Sequence, residues 1–376
     1  MTTFPGELIT EILSLLPIKP LLRFQCVSKP WFSQINNSDF IKLHLNHSRE
    51  RTLIVQTYWP SNYYMVNFSN EGQFSEAAKI EQLQYQSAST EIVGCCNGLV
   101  CIRNLNCEIV ICNPLIGKYK KLPSSKPPRE ASSDYYDYLA FGYDRVNDDY
   151  KVFKFEIPKT LVVNISLRRE KCSPEVYSLR EHSWRMVEDE WPFEKSSIFS
   201  NCLGWPFLNG NFHWLVPFLN GNFHWLVTQS NSKQVIVAFN LSTEKFQVLD
   251  EIPVNFGLFL NECVTFVVLR GWLCLTIDRD VWVMKEYGVA NSWTLLYTMQ
   301  LDPAPSTYLP LVFSHDGEEV LTGEKEITER DFHQLFWYDI KNKTCKIVEI
   351  QNMPNSFSKP CTCMGSLLLL DVDRDN

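Results

Sequence analysis

The sequence has no excess of basic residues and no long apolar run. Its 376 residues include 35 Lys and Arg against 43 Asp and Glu, a net charge of −8. A protein that grips a nucleic-acid backbone needs a basic stripe, so nucleic acid is not an expected partner. The most apolar later segment, 254–277, is broken by Asn261, Glu262 and Arg270, and no cationic stretch leads into an apolar run at the N-terminus. We therefore expect no membrane association, and a soluble protein of the cytoplasm, the nucleus or both.

Spacings typical of metal centres and active sites are also missing. The seven histidines form no His-Glu-x-x-His pattern, and the thirteen cysteines include no Cys-x-x-Cys pair. Neither a Gly-rich phosphate loop nor a Gly-x-Ser-x-Gly turn is present. Asp371, Asp373 and Asp375 resemble the start of a calcium loop, but the glycine and the bidentate acid that complete such a loop do not follow. We expect no metal, no cofactor and no catalytic residue.

Cysteines and clustered acids are the remaining residues that could suggest chemistry. The cysteines that lie in apolar strand patterns are Cys95, Cys96, Cys101 and Cys112. In that setting we expect reduced, buried thiols. The acids that could supply a glycosidase-like carboxylate pair are Asp148, Asp149, Glu188, Asp189, Glu190, Asp278 and Asp280. Each lies in a polar, turn-like segment, where a solvated charge is the expected state.

The first 48 residues have a helical pattern, and residues 49–376 have a strand pattern, which predicts two domains with a boundary at residue 48. A first helix is expected from Pro5 to the break at Pro17, and a second from Pro20. A third is expected with Ser28 as its N-cap, and a fourth with Asp39 as its cap.

This helical block carries more apolar surface than it can bury by itself. Leu15 lies outside the main apolar stripe of the first helix, and three short helices cannot cover so wide a stripe. The excess surface could pack against the strand-rich domain or against another molecule. Composition does not decide between the two.

The order and spacing of residues in this block resemble the F-box. The matching stretches are Pro5 to Leu13, the Leu16-Pro17 break, Leu21 to Phe24, and Val27 to Lys29 followed by Trp31. Phe4 and Pro20 depart from the usual pattern. The resemblance implies docking on the Skp adaptor of a cullin-RING ubiquitin ligase. The residues that it assigns to the adaptor surface are Pro5, Leu8, Ile9, Ile12, Leu16 and Pro17. It assigns Phe24, Val27 and Trp31 to contacts between the helices.

Beyond the helical block, a unit of two hairpins recurs every 45 to 65 residues or so, the spacing of propeller blades. The first hairpin of each unit turns near Gly98, Gly210, Gly271 or Gly317. About five units are complete. The strand-like segments 52–68 and 361–371 remain at the two ends, and they could share a blade and close the ring. We expect a β-propeller of about six blades, with a β-sandwich-like meander as the alternative because the unit between Tyr119 and Trp184 is irregular.

The strand-rich domain resembles the plant F-box-associated and kelch-type domains. The matching stretches include Cys95 to Val100, Ile111 to Pro123 and Trp282 to Val289, although the kelch double glycine is missing. The two resemblances together imply a non-catalytic receptor that recruits a protein target to a Skp-cullin-F-box ubiquitin ligase. A scaffold that does not direct degradation, and an enzymatic propeller such as a glycan hydrolase, are the alternatives. The target cannot be read from the sequence.

One segment is present twice: residues 206–216 and 217–227 are identical. A single copy is enough to start a blade, so the other must bulge out, pair as an additional strand or displace its twin. We expect a neutral insertion or an error in the gene sequence rather than a new binding loop.

Overall fold

The fold was obtained as a computed structural model. It describes residues 6–48, 51–58, 61–68, 72–80, 90–104, 107–125, 135–158, 174–192, 218–228, 234–251, 264–301, 306–326, 331–358, 360–368 and 370. These residues belong to two compact units, Met1–Leu122 with Glu349–Asn376, and Pro123–Val348. The first unit contains the four helices, and each unit has its own share of the strands.

Four short helices form the N-terminal block, as the sequence predicts. They are α1 (Gly6–Ser14), α2 (Ile18–Phe24), α3 (Lys29–Ile35) and α4 (Ser38–His47). The Ser28 side chain accepts a hydrogen bond from the backbone N–H of Trp31, which confirms the predicted N-cap of α3. The predicted cap of α4 is wrong, because Asn37 accepts from the N–H groups of Asp39 and Phe40. Helix α2 begins two residues before the predicted Pro20.

The helices pack through one buried face each. The buried side chains are Leu13, Ile18, Leu21, Ile35, Phe40 and Ile41, which form one cluster with Leu367. The longest of the four described helices, α4, has ten residues, and none of them has the length and apolar character needed to cross a bilayer. The predicted domain boundary at residue 48 stays a prediction, in a stretch where α4 ends at His47 and β1 begins at Arg51.

The described strands form six antiparallel sheets of four strands each, a six-bladed propeller. Blade 1 contains β1 (Arg51–Tyr58), β2 (Ser61–Phe68), β3 (Ala78–Lys79) and β24 (Cys361–Met364). Blade 2 contains β4 (Thr90–Cys96), β5 (Leu99–Asn104), β6 (Ile109–Asn113) and β7 (Lys118–Lys121). Blade 3 contains β8 (Tyr135–Asp144), β9 (Asp149–Pro158), β10 (Glu175–Ser178) and β11 (Ser183–Met186).

The other three blades follow in chain order. Blade 4 contains β12 (Phe218–Leu219), β13 (Asn222–Thr228), β14 (Gln234–Asn240) and β15 (Lys245–Glu251). Blade 5 contains β16 (Val264–Leu269), β17 (Trp272–Ile277), β18 (Asp280–Met284) and β19 (Trp293–Thr298). Blade 6 contains β20 (Ser306–Phe313), β21 (Glu319–Glu326), β22 (Gln334–Asp339) and β23 (Thr344–Ile347). The sandwich-like alternative is therefore wrong.

Blade 1 is built from both ends of the chain, as predicted. Strand β24 pairs antiparallel with β1, with Cys361 opposite Ile54 and Met364 opposite Arg51. Pairing of the two terminal segments satisfies backbone groups that would otherwise lie on a sheet edge. This explains why neither terminal segment has a full repeat of its own.

The hairpin signals of the sequence are confirmed where the structure describes them. At Asn97-Gly98 and Arg270-Gly271 both turn residues have positive φ, as a type I′ turn requires. The turn predicted at Gly210 lies outside the described residues. In blade 4 the turn between β12 and β13 is instead Asn220-Gly221, from the second copy of the duplicated segment.

The cysteines differ from one another in state. Cys101 and Cys112 are buried free thiols, as predicted. The prediction is wrong for Cys95, which forms a disulfide with Cys361, 266 residues away in the sequence. The sequence pattern around Cys95 indicates its apolar strand in blade 2 but not its partner on β24 of blade 1.

Candidate functional site

Helix α1 and the turn that follows it present a row of exposed apolar side chains. Leu8, Ile12 and Leu15 are 47%, 57% and 65% exposed. They are spaced four and three residues apart, so they follow one side of the helical segment. On the opposite side Leu13 and Ser14 are buried. We call Leu8, Ile12 and Leu15 the α1 apolar row.

The row is a candidate docking surface because its burial is favourable. A fully buried Leu or Ile contributes about 1.5–3 kcal/mol, and these side chains have about half of that area still exposed. A partner that covers the row would therefore gain on the order of 1 kcal/mol from each side chain, or about 3 kcal/mol in all.

The six residues assigned to the adaptor surface from the sequence fall into three groups. Leu8, Ile12 and Pro17 are exposed. Ile9 and Leu16 are half-buried and pack against the helical core, so they support the surface from beneath as well as border it. Pro5 lies outside the described residues. Leu15, the most exposed member of the row, was missed, although its spacing from Leu8 and Ile12 would have indicated it.

Two more exposed apolar residues lie on the next helices. Val27, in the turn after α2, is 62% exposed, and Phe32 of α3 is 55% exposed. The expectation that Val27 holds the helices together is therefore wrong. The same expectation is confirmed for Phe24 and Trp31, whose rings meet edge to face with centroids 5.4 Å apart.

Helix α4 holds the C-terminal end of α1 in place. The buried His44 donates from Nε2 to the carbonyl of Leu16 over 2.8 Å, which satisfies a carbonyl at the corner before Pro17. The Ser14 hydroxyl donates to the carbonyl of Glu11 over 2.8 Å and lies 2.9 Å from Nδ1 of His47. Because that hydroxyl has one proton, its oxygen accepts from Nδ1–H of His47. The row is thus presented by a fixed helix.

Among the described residues outside this block, the candidate metal ligands and nucleophiles are the His, Cys, Asp and Glu side chains. No group of three or more His, Cys, Asp or Glu side chains among them could hold a metal ion. Burial raises the pKa of the Cys112, Cys274 and Cys363 thiols to about 12, so these thiols are protonated at neutral pH. A protonated, buried thiol is a poor nucleophile.

The clustered acids are also used in the fold. The expectation of a solvated charge is wrong for Asp149, which is buried and accepts from the Ser178 hydroxyl over 2.6 Å and from Arg180 N–H over 2.9 Å. Asp189 accepts from the N–H of Phe246 over 2.7 Å. Asp371, Asp373 and Asp375 lie outside the described residues.

Comparison with known proteins finds matches along the whole chain. A family model described as "F-box associated beta propeller domain" matches residues 53–370, and one described as "F-box domain" matches residues 1–43. F-box protein CPR1 of Arabidopsis thaliana is 29% identical, over 100% of this chain and 91% of the relative. F-box protein At4g22390 is 27% identical, over 93% and 87%. F-box/kelch-repeat protein At3g23880 is 28% identical, over 84% of each, and both are from the same organism.

Proposed function

Because this chain belongs to the family of proteins with an F-box-associated β-propeller domain, here preceded by an F-box, we propose that it is the substrate-recognition subunit of a Skp-cullin-F-box ubiquitin ligase. The F-box docks on the Skp adaptor, and through it on the cullin-RING ligase, while the propeller binds a protein target. The proposed site of action is the cytoplasm, the nucleus or both. The target is not identified.

The α1 apolar row supports this proposal most directly. It lies inside the segment that matches the F-box, and Leu8, Ile12 and Leu15 stay exposed although α1 buries Leu13 and Ser14 in the helical core. A helix of nine residues gains little stability from its own hydrogen bonds, so an exposed row of this kind favours binding to another surface.

The proposed work of the protein is to position a target rather than to perform chemistry. A target held on the propeller would meet the ubiquitin-charged enzyme at a high effective concentration, and proximity of this kind can accelerate a reaction by several orders of magnitude. The ubiquitin transfer itself is assigned to other subunits.

Adaptor capture tests the F-box part of the proposal. We expect the wild-type chain to co-purify with a Skp adaptor and cullin, and Leu8→Asp with Ile12→Asp to lower the affinity by more than about a hundredfold, since burial is lost and two charges must be desolvated. Val146→Asp with Ile347→Asp is the matched control, because these residues are also exposed, at 80% and 57%, but lie in the propeller. Failure of the wild type to capture the adaptor, or unchanged capture by the F-box variant, would contradict the proposal.

A second measurement separates a ligase receptor from a scaffold. Proximity labelling compares the wild-type chain with the Leu8→Asp, Ile12→Asp variant, which keeps its propeller and should retain targets without delivering them. Under the receptor proposal, labelled proteins are enriched on the variant, and the same proteins accumulate with the wild type when the proteasome is inhibited. Labelled partners whose abundance is the same under all conditions would favour the scaffold alternative.

A further inference from the structure

The chain segment after β24 runs between the helical block and blade 2. Gly365, Ser366 and Leu367 of this segment are buried. Leu367 is 3% exposed and belongs to the same cluster as the core of the helical block, with Leu115 from the β6–β7 turn packed against it. Residues of the chain's last described stretch therefore contact both the helices and a blade.

Asn113, at the end of β6, holds the backbone of this segment. Its side chain is fully buried, and its Nδ2 donates to the carbonyls of Ser366 over 2.9 Å and of Leu368 over 3.1 Å. Its Oδ1 accepts from the N–H of Leu115 over 3.1 Å. Loss of these bonds would leave buried polar groups without partners, which is costly, so the segment has one well-defined position on blade 2.

Glycines allow the close approach on both sides of the segment. A Cβ on Gly365 would lie 2.7 Å from Cδ1 of Ile18 in α2 and 3.1 Å from Cδ1 of Leu115. A Cβ on Gly98, in the β4–β5 turn of blade 2, would lie 2.8 Å from the carbonyl oxygen of Met364 and would overlap Ser366. All three distances are below ordinary van der Waals contact, so the segment packs closely against both the helix and the blade.

We propose that residues 365–368 position the F-box on blades 1 and 2, with Asn113, Gly365 and Leu367 as the positioning residues. The proposal rests on the proposed function, because its consequence appears when the helices are bound to the adaptor. The lysines of blades 1 and 2 then have a fixed position relative to these helices. The same stretch of chain closes blade 1 through β24 and seats the helical block, so the F-box cannot turn on blades 1 and 2 without breaking this packing.

Substitution of Gly365 by a larger residue tests the proposal without a change to the α1 apolar row. Gly365→Ala places a methyl against Ile18. The double variant Ile18→Val, Gly365→Ala removes the Cδ1 that this methyl meets. Met364→Ala is the neighbouring control, because the Met364 side chain is 41% exposed. The first measurement is hydrogen exchange of the purified full chain. Exchange of amides 366–368 and of α2 should rise about tenfold in Gly365→Ala and should match wild type in Met364→Ala. In the double variant most of the rise should be lost, because only the 3.1 Å approach to Leu115 Cδ1 remains.

The second measurement uses the chain as its own substrate in a ligase reconstituted with Skp adaptor, cullin, RING subunit and charging enzymes. Lys79, Lys118 and Lys121 are exposed lysines of blades 1 and 2. Gly365→Ala should keep adaptor affinity within about twofold and change the ratio of ubiquitin on these lysines by about threefold or more, because a mobile F-box no longer selects among them. The Ile18→Val, Gly365→Ala variant should return the ratio most of the way to that of wild type.

The outcomes separate this proposal from the proposed function. Wild-type exchange and a wild-type lysine ratio in Gly365→Ala would overturn the positioning role even if the ligase is active. Absence of adaptor capture or ubiquitin transfer in the wild type would overturn the proposed function. In that case the exchange comparison still decides whether the segment fixes the helical block.

Discussion

At the scale of single residues, the turn that ends β8 contains a buried ionic network. Lys151 Nζ lies 2.8 Å from Asp144 Oδ2, 3.1 Å from Glu244 Oε1 and 2.7 Å from the carbonyl of Leu241. Burial by itself would raise the pKa of Asp144, but hydrogen bonds from Lys151, Ser242 and Asn147 outweigh burial and hold that pKa below its usual value. The network ties blade 3 to the β14–β15 turn of blade 4.

This network predicts a specific acid sensitivity. Because the pKa of Asp144 is lower in the folded chain, its contribution to stability is present above the unfolded pKa of about 3.9 and is lost as pH falls through the folded pKa. Asp144→Asn should cost about 3 kcal/mol at pH 7, since it leaves Lys151 with one carboxylate fewer. The difference in Tm from wild type should shrink as pH falls below about 4.

Thermal unfolding at pH 7 and pH 3 checks this expectation. Asp278→Asn is the matched control, since Asp278 is exposed in a β-turn whose positive φ asparagine also accepts. The Tm of this control should equal that of wild type at both pH values. An Asp144→Asn chain as stable as wild type at pH 7 would show that the network contributes nothing net.

The candidate site could be predicted from the sequence only in part. The resemblance to the F-box assigned Leu8 and Ile12 to the adaptor surface, and both are exposed. It could not separate Ile9 and Leu16, which share the same stripe but are half covered by the core, because that depends on the angle at which α4 crosses α1. Val27 resembles an interior residue in sequence, but the chain turns after Phe24 and leaves it exposed.

At the scale of elements, the duplicated segment shows how local signals compete. Copies 206–216 and 217–227 have the same turn and strand pattern, and the described strands β12 and β13 come from the second copy and the residue after it. Strand β13 pairs with β14 from Asn222 to Thr228, so blade 4 has its first hairpin without any residue of 206–216. The first copy lies outside the described residues.

Removal of 206–216 should therefore be close to neutral. The copies are adjacent and identical, so deletion of either gives the same chain, in which one copy can form β12 and β13. We expect Tm to stay within about 2 °C of wild type by calorimetry, since the described hairpin of blade 4 needs only one copy. A loss of more than about 5 °C would show that both copies are needed in the fold.

At the scale of the whole molecule, the propeller was predictable because its repeat is local. Glycine turns at Gly98, Gly271 and Gly317 mark the first hairpins of blades 2, 5 and 6. The incomplete ends of the repeat indicated a shared blade. Contacts between residues far apart in the chain left no such signal. The Cys95–Cys361 disulfide and the bonds from Asn113 to Ser366 and Leu368 join positions more than 250 residues apart, and local spacing carries no information about them.

Which apolar side chains of the helical block are buried and which stay exposed is also decided at the scale of the whole molecule. The sequence showed an excess and left open whether the strand-rich domain or another molecule covers it. The first alternative holds for Ile18 and Leu21, which lie in one cluster with Leu115 and Leu367, while Leu8, Ile12 and Leu15 remain exposed. We propose that these three side chains form the surface for the adaptor.

Hydrogen exchange of the full chain with and without a purified Skp adaptor tests that claim most directly. We predict that adaptor binding slows exchange about tenfold or more in residues 6–17, with weaker slowing in 25–32, where Val27 and Phe32 are exposed, and no change in blades 3 to 6. Leu8→Asp with Ile12→Asp should abolish the effect. An adaptor complex that leaves exchange in 6–17 unchanged, or that protects propeller strands instead, would contradict the claim.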